Sequence, residues 1–359
     1  MTLPKPIKFK VERYIGGLSN FKKISNPIKL SANESALGPS PKAIQAFEND
    51  KNSIFKYPES DSQSLRKVLS KKFDIDQDRI ICGSGSDQIF ELTCHLFLEP
   101  GDEVVVTEFG FIMHRIYASL NKAKVILAKE KNFKASVEEI LKKISKKTKI
   151  VFIANPNNPT GTYLTKNEML NLRKKLRSDI LLVVDDAYFE FLRFNDFKSG
   201  LDLFKNSKNV LVTRTFSKIY GLAGLRLGWG YSSKEIINAM NQIKPPFNVN
   251  RAAQAAGIAA IRDDEWTKKA VEHNALWSKK IFSVLKEYKI KSNEPSANFF
   301  LMNFNDIKIN SDSAFEKLAN RRLILRKMTQ YKMPDALRIT IGNEKDNEHF
   351  IKSLGSVFK

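Results

Sequence analysis

The middle of the chain alternates short apolar runs with helix-patterned segments, and this alternation restricts the fold more than any other feature. Glu103 to Thr107 (EVVVT), Lys124 to Ala128 (KVILA), Lys149 to Ala154 (KIVFIA), Ile180 to Asp185 (ILLVVD) and Asn209 to Thr213 (NVLVT) read as buried strands. Between them, 112–121, 136–146 and 165–177 read as helices. Thr165 and Glu168 make a capping box for the last of these. Strands that alternate with helices imply an α/β fold, a mainly parallel sheet with helices on both faces.

A chain of 359 residues suits two domains. The best boundary is Pro245-Pro246, because proline stops a helix and the residue before it avoids the α region. Beyond it lie helical patterns over 250–262 and 264–288. Strand-like Asn298 to Asn303 and Leu337 to Ile341 then flank a helix near 311–320. The expected organisation is an arm over 1–30 that packs with the small domain, a large three-layer domain over 31–245, and a small α+β domain over 246–359.

The net charge of +21 raises the question of nucleic acid. A nucleic-acid surface concentrates its basic residues, whereas these lysines are spread along the chain. Pairs such as Lys142-Lys143, Lys146-Lys147 and Lys174-Lys175 read as solvated helix faces. The charge suits anionic small molecules instead. No apolar run approaches the ~20 residues that span a bilayer, and Met1 to Lys10 lacks the apolar core of a secretory signal. Cys82 and Cys94 form neither a disulfide framework nor a metal spacing. We therefore expect a cytoplasmic protein with reduced thiols, no metal and no membrane or nucleic-acid partner.

Four features fall at strand ends, where open α/β sheets place ligands. The first is Cys82-Gly83-Ser84-Gly85-Ser86-Asp87, after a short strand Arg79 to Cys82 and at the start of a helix Ser86 to Leu98. It reads either as a phosphate cradle of free N–H groups or as a tight turn with Ser86 or Asp87 as N-cap. The second, Asn155-Pro156-Asn157-Asn158-Pro159-Thr160-Gly161, demands a fixed turn and carries an amide into the crevice. The third is Asp185-Asp186-Ala187-Tyr188. A carboxylate at the tip of an apolar strand needs a cation, or else Asp185 caps a following helix. The fourth runs from Thr215 to Trp229 (TFSKIYGLAGLRLGW). Lys218 sits there among Phe216, Ile219 and Tyr220, and desolvation makes such an amine a nucleophile for carbonyls. Arg226 reads as lying inside an apolar strand, where it needs an anionic partner.

These four features together fit pyridoxal phosphate. Its aldehyde needs an amine, its pyridine nitrogen a carboxylate, its phenolate oxygen donors, and its phosphate a helix N-terminus with hydroxyl and guanidinium groups. The segments NPNNPTG, VVDDAY, TFSKIYGLAGLRLGW and ALRITIG, with KLSANES, KYPES and PPFNVN, are similar in order and spacing to a known group. The chain resembles, over nearly its whole length, the fold-type I aminotransferases of class I/II, and most closely the histidinol-phosphate aminotransferase group.

The resemblance implies roles. Lys218 holds the cofactor as a Schiff base and shuttles a proton. Asp185 pairs with the pyridinium nitrogen, and Asn158 and Tyr188 bond the phenolate oxygen. Ser217 and Arg226 bind the phosphate with Gly85, Ser86 and Asp87 at the helix start, and Thr215 belongs to the same cofactor-binding set. Tyr57 reaches the cofactor of a second subunit, so a homodimer is implied. Arg338 clamps a substrate carboxylate and Arg326 a substrate phosphate, with Tyr14 and Asn33 at the substrate pocket. The stacking aromatic is Phe111 or Phe109 where the group generally has tyrosine. Asn33-Glu34-Ser35-Ala36 and Arg326-Lys327-Met328-Thr329 depart from the group's commoner wording, which bears on the acceptor. The implied reaction converts histidinol phosphate and 2-oxoglutarate to imidazole-acetol phosphate and glutamate. The alternatives are an aromatic amino-acid aminotransferase and a pyridoxal-phosphate-dependent decarboxylase of amino-acid phosphates.

Overall fold

The computed structural model describes residues 11–22 and 24–358. Residues 1–10 and Lys23 of the expected arm lie outside them. The large unit is built on a seven-stranded sheet. In chain order its strands are β1 (Ile80–Gly83), β2 (Glu103–Thr107), β3 (Lys124–Ala128), β4 (Thr148–Ala154), β5 (Leu181–Asp185), β6 (Val210–Thr215) and β7 (Gly228–Tyr231). Across the sheet they run β1-β7-β6-β5-β4-β2-β3. Only β7 pairs antiparallel, to β1 on one side and β6 on the other; the rest are parallel.

The inner apolar runs form strands with both faces covered, while the edge strand β3 stays partly exposed. Val105, Val151, Leu182, Val184 and Val212 point into one core, and Val104, Val106, Ile150, Phe152, Val183 and Leu211 into the other. This period-two division of an unbroken apolar run is the pattern of a sheet between two helical layers. The first core is closed by α1 (Pro41–Asp50), α2 (Gln63–Phe73) and the helix Lys166–Lys175. The second is closed by α3 (Ser86–Phe97) and α4 (Ile112–Leu120). The Thr165–Glu168 capping box is present in full. The segment expected as a helix over 136–146 is helical only over Val137–Lys142, between the N-cap Ser136 and Lys143.

The small unit has a three-stranded sheet of β8 (Phe299–Asn303), β9 (Arg326–Lys327) and β10 (Ala336–Thr340), ordered β8-β10-β9 and antiparallel throughout. Helices Ser311–Ala319 and Glu344–Phe358 cover it. Ile28–Lys29 of the arm pairs in parallel with Leu323–Ile324. The helix Arg251–Arg262 follows Pro245-Pro246 but belongs to the large core. Ala253, Ala256, Ala260 and Ile261 are buried there against α1 and α2. The core of the small unit takes over along the next helix, Asp264–Glu287, from Trp277 onward.

Two local expectations are corrected. Arg226 is not in a strand. It ends a short 3-10 turn, Ala223–Leu225, in the left-handed region (φ 54°), and β7 begins two residues later at Gly228. Its apolar neighbours Leu225 and Leu227 imitate a strand, but the Arg226 guanidinium is tied back to Ala223 O at 3.1 Å. The N-cap of α3 is Gly85 at φ 80°, not Ser86 or Asp87. Glycine takes this backbone angle without strain, and the two following side chains are left free of capping.

Candidate active site

The carboxyl ends of β4, β5 and β6, the start of α3 and the small sheet surround a cleft of ≈ 590 Å³. Lys218, Asp185, Tyr188, Asn158, Ser217, Thr215, Arg226, Ser86, Asp87, Phe111, Tyr14, Asn33, Arg326 and Arg338 all line it. Phe111 faces the cleft, whereas Phe109 packs with Ile112, Met328 and Tyr331 in a separate apolar cluster. Tyr57 is not on this cleft. It is 77% exposed and stacks on Phe247 with ring centroids 4.4 Å apart. Gly85 is not among the lining residues either.

Lys218 follows β6 after a tight turn in which Ser217 N–H donates to Thr215 Oγ1 at 3.1 Å. Its Nζ donates to Ala32 O at 3.4 Å and lies 5.7 Å from the Tyr188 ring centroid. Burial draws the amine down to about 8, and the Arg338 guanidinium adds to the shift. About a tenth of the amine is then neutral at pH 7, against well under a thousandth for an ordinary lysine, and the neutral form is the one carbonyl attack requires.

Asp185 ends β5 and is buried. Its Oδ1 accepts Ala187 N–H at 3.2 Å and the Thr213 hydroxyl at 3.4 Å. The helical turn that follows, Phe189–Phe191, has Tyr188 at its N-cap position, so Asp185 is not a cap. Asp186 turns away from the cleft. It accepts from Gly200 N–H and Leu201 N–H and lies 3.6 Å from Arg214. Among the described residues the basic group at Asp185 is His114, whose Nε2 is 3.7 Å from Oδ2. His114 stacks on Phe152 and meets Phe90 and Phe111 edge-on. Nothing local marks it out: it is one histidine inside an apolar helix pattern.

The Tyr188 hydroxyl accepts from Asn33 Nδ2 at 2.9 Å. Burial raises its phenol to about 12, against the pull of Arg338. At the other end, Arg226 Nη1 donates to Ser217 Oγ at 3.3 Å, and Nη2 to Asp87 Oδ2 at 3.2 Å, beside the N-terminus of α3. The backbone is packed tightly here. A Cβ on Gly85 would stand 2.5 Å from Arg226 Nη2, and one on Gly228 would stand 2.3 Å from Ser86 N. Either would fill the space before the helix N-terminus.

Arg338 and Arg326 are register partners on β10 and β9. Arg338 donates to Asn158 Oδ1 and to Ser31 O, while its Nε has no partner. Burial brings Arg338 down to about 10, Tyr188 opposing and Arg326 adding. Arg326 donates to Ile15 O at 2.8 Å and to Tyr14 OH at 3.5 Å. Met113, Tyr117 and Lys29 also line the cleft, and sequence reasoning assigned them no role.

The set fits pyridoxal phosphate on three observations. A desolvated amine faces the cleft. A buried carboxylate opens on it with a histidine behind it. A guanidinium, two serines and a helix N-terminus converge where added side-chain bulk would collide. Among the described residues there is no cluster of three or more His, Cys, Asp or Glu side chains that could hold a metal, and no helix is long and apolar enough to cross a membrane.

A family model described as Aminotransferase class I and II matches residues 25–354. A relative from Pelagibacter ubique, named histidinol-phosphate aminotransferase, is 54% identical over 359 residues, all of both chains. One of the same name from Paramagnetospirillum magneticum is 40% identical, over 98% of this chain and 97% of its own. The solved structure of histidinol-phosphate aminotransferase from Sinorhizobium meliloti in complex with pyridoxal-5'-phosphate superposes with a TM-score of 0.84 at 23% identity. That match covers 92% of this chain and 90% of the other. At that identity the likeness speaks for the fold.

Proposed function

The chain belongs to the aminotransferase class I and II family, and from that premise we propose that it exchanges an amino group between glutamate and imidazole-acetol phosphate, reversibly giving 2-oxoglutarate and L-histidinol phosphate. When bound, pyridoxal phosphate supplies an electron sink for the negative charge that develops at the substrate Cα. The chain supplies everything else. Lys218 Nζ would hold the group at its aldehyde and would carry the proton to and from the substrate Cα. Asp185 keeps the ring nitrogen protonated, with His114 behind it. Tyr188 and Asn158 donate to the phenolate oxygen. Ser86, Ser217 and Arg226 hold the phosphate, with Gly85, Asp87 and Thr215 shaping its seat, and Phe111 covers the ring face.

The observation that carries the substrate assignment is the Arg326–Arg338 pair. Glutamate brings two carboxylates, and histidinol phosphate has none but brings a phosphate of up to two negative charges. Two adjacent buried guanidinia serve both anions in one cleft. Arg338 takes the carboxylate and Arg326 the phosphate, beside Tyr14 and Asn33. The names of the close relatives support the same substrate.

The enzyme works as a homodimer in the cytoplasm, with Tyr57 reaching the partner's cofactor. Tyr57 stands in an exposed apolar patch with Ile54 and Phe55, at 78% and 79% exposure, which favours a covered surface. Specificity constants for imidazole-acetol phosphate and phenylpyruvate, with glutamate as donor, test the proposal. The phosphate substrate should win by about one to two powers of ten, as a charge-assisted contact allows. Equal constants, or a preference for phenylpyruvate, would overturn it.

A further inference from the structure

Tyr14 and Ile15 reach Arg326 from an arm that has little packing of its own. Tyr14 is 39% exposed, Ile15 62% and Leu18 44%. Apolar burial does not hold such a segment in place, so its hydrogen bonds decide where it lies. Its next firm anchor is Ser31, whose hydroxyl donates to Leu18 O at 2.6 Å. At Gly17 a Cβ would strike Ser31, so the chain passes that point closely.

Gln330 holds the arm beyond that point. Its Nε2 donates to Arg13 O at 2.8 Å, and its Oε1 accepts Ile15 N–H at 3.3 Å. One side-chain amide thus grips the backbone on both sides of Tyr14, as a neighbouring strand would. The support beneath it is firm. Gln330 lies in the 3-10 turn Thr329–Tyr331, and Met328, Tyr331 and Met333 around it are buried against Ile112 at the start of α4. The turn is therefore fixed to the large unit immediately after Phe111, and it presents the amide to the arm.

We propose that Gln330 is a positioning residue for the phosphate end of the substrate site: by gripping Arg13 and Ile15 it places the Tyr14 hydroxyl and the Ile15 carbonyl at Arg326. This rests on the assignment of Arg326 to the substrate phosphate. Gln330 does not line the cleft and touches no reacting atom. Its effect falls on substrate binding, and the chemistry at Lys218 is left alone. Arg326 itself gains from the grip, because its bond to Ile15 O fixes the direction of its guanidinium.

The test uses the holoenzyme with two substitutions. Gln330→Met keeps the length and packing of the side chain but has neither hydrogen-bonding group. Gln330→Glu keeps the acceptor for Ile15 N–H and loses the donor to Arg13 O. With Gln330→Met, KM for histidinol phosphate should rise about tenfold, the loss expected for two neutral hydrogen bonds, while kcat falls less than about threefold. Gln330→Glu should fall between. Tryptic cleavage after Arg13, followed by mass spectrometry, should be faster in Gln330→Met, because cleavage requires the arm to lift. An unchanged KM overturns the proposal even if cleavage quickens, since the arm would then be released without cost to the substrate. So does a fall in kcat that matches the rise in KM. If the unaltered enzyme does not use histidinol phosphate, the substrate assignment fails. The grip is then judged by cleavage alone, and an unchanged rate in Gln330→Met overturns it.

Discussion

Arg326 and Arg338 face each other across adjacent antiparallel strands, and both are buried. Like charges directly opposite in a sheet repel, so the small unit holds an electrostatic conflict that an anion relieves. Inorganic phosphate should therefore raise the melting temperature of the holoenzyme, whose cofactor already fills the seat at Arg226. At a hundredfold excess over Kd the gain is roughly 2.7 kcal/mol. Arg326→Leu should lose most of this response, as thermal denaturation with and without phosphate would show. An undiminished response would place the anion elsewhere.

The same residue separates the substrates. Arg326→Leu should lower kcat/KM for histidinol phosphate by one to two powers of ten, equivalent to about 1.5–3 kcal/mol, and leave phenylalanine much less affected. Equal loss for both would remove Arg326 from phosphate recognition.

Lys218 gives the cofactor-free protein a pH signature. The folded amine titrates near 8 and the unfolded one near its ordinary 10.5. Below 8 both states hold the proton. Between the two values only the unfolded state does, so stability rises with pH across that window, and the contribution is lost as pH falls through 8. Denaturant titrations of cofactor-free protein from pH 8 to 10 should show this rise relative to Lys218→Met. Parallel profiles would mean that the amine is not desolvated.

Gly228→Ala should damage both fold and cofactor seat, because its Cβ would stand 2.3 Å from Ser86 N. Overpacking of this kind costs about 1–3 kcal/mol. Equilibrium dialysis should show weakened cofactor retention beside the lowered melting temperature. A drop in stability with full retention would show that α3 moves without disturbing the phosphate seat.

Much of this was legible in the sequence because local chemistry decided it. Five apolar runs became strands, and the Thr165–Glu168 cap formed as the residues dictate. The strand-end motifs met in one cleft because parallel strands bring their carboxyl ends together. What escaped depends on distant packing. Arg226 reads as a strand residue until the turn at Ala223–Leu225 and its tie to Ser217 are seen. The helix Arg251–Arg262 joins the large core through α1 and α2, which no residue near Pro246 announces. His114 meets Asp185 only because the first turn of α4 comes to the carboxyl end of β5. Phe111 and Phe109 differ only in the side to which each turns.

Asp185→Asn keeps the shape and removes the charge. Cofactor should still bind, because the phosphate seat is untouched, while turnover falls by about 10²–10³, the usual loss for an electrostatic group matched to developing charge. Absorbance titration with cofactor and single-turnover rates would check the two halves. Near-normal turnover would contradict the assigned pairing.

The central claim is that Lys218 is the amine that bonds the cofactor. Protein loaded with pyridoxal phosphate should show a visible absorbance band that borohydride shifts, and peptide mass spectrometry should then find the reduced group on Lys218. Lys218→Ala should lack both the band and the labelled peptide. A label on another lysine, or a Lys218→Ala protein that keeps the band and turns over normally, would contradict the account.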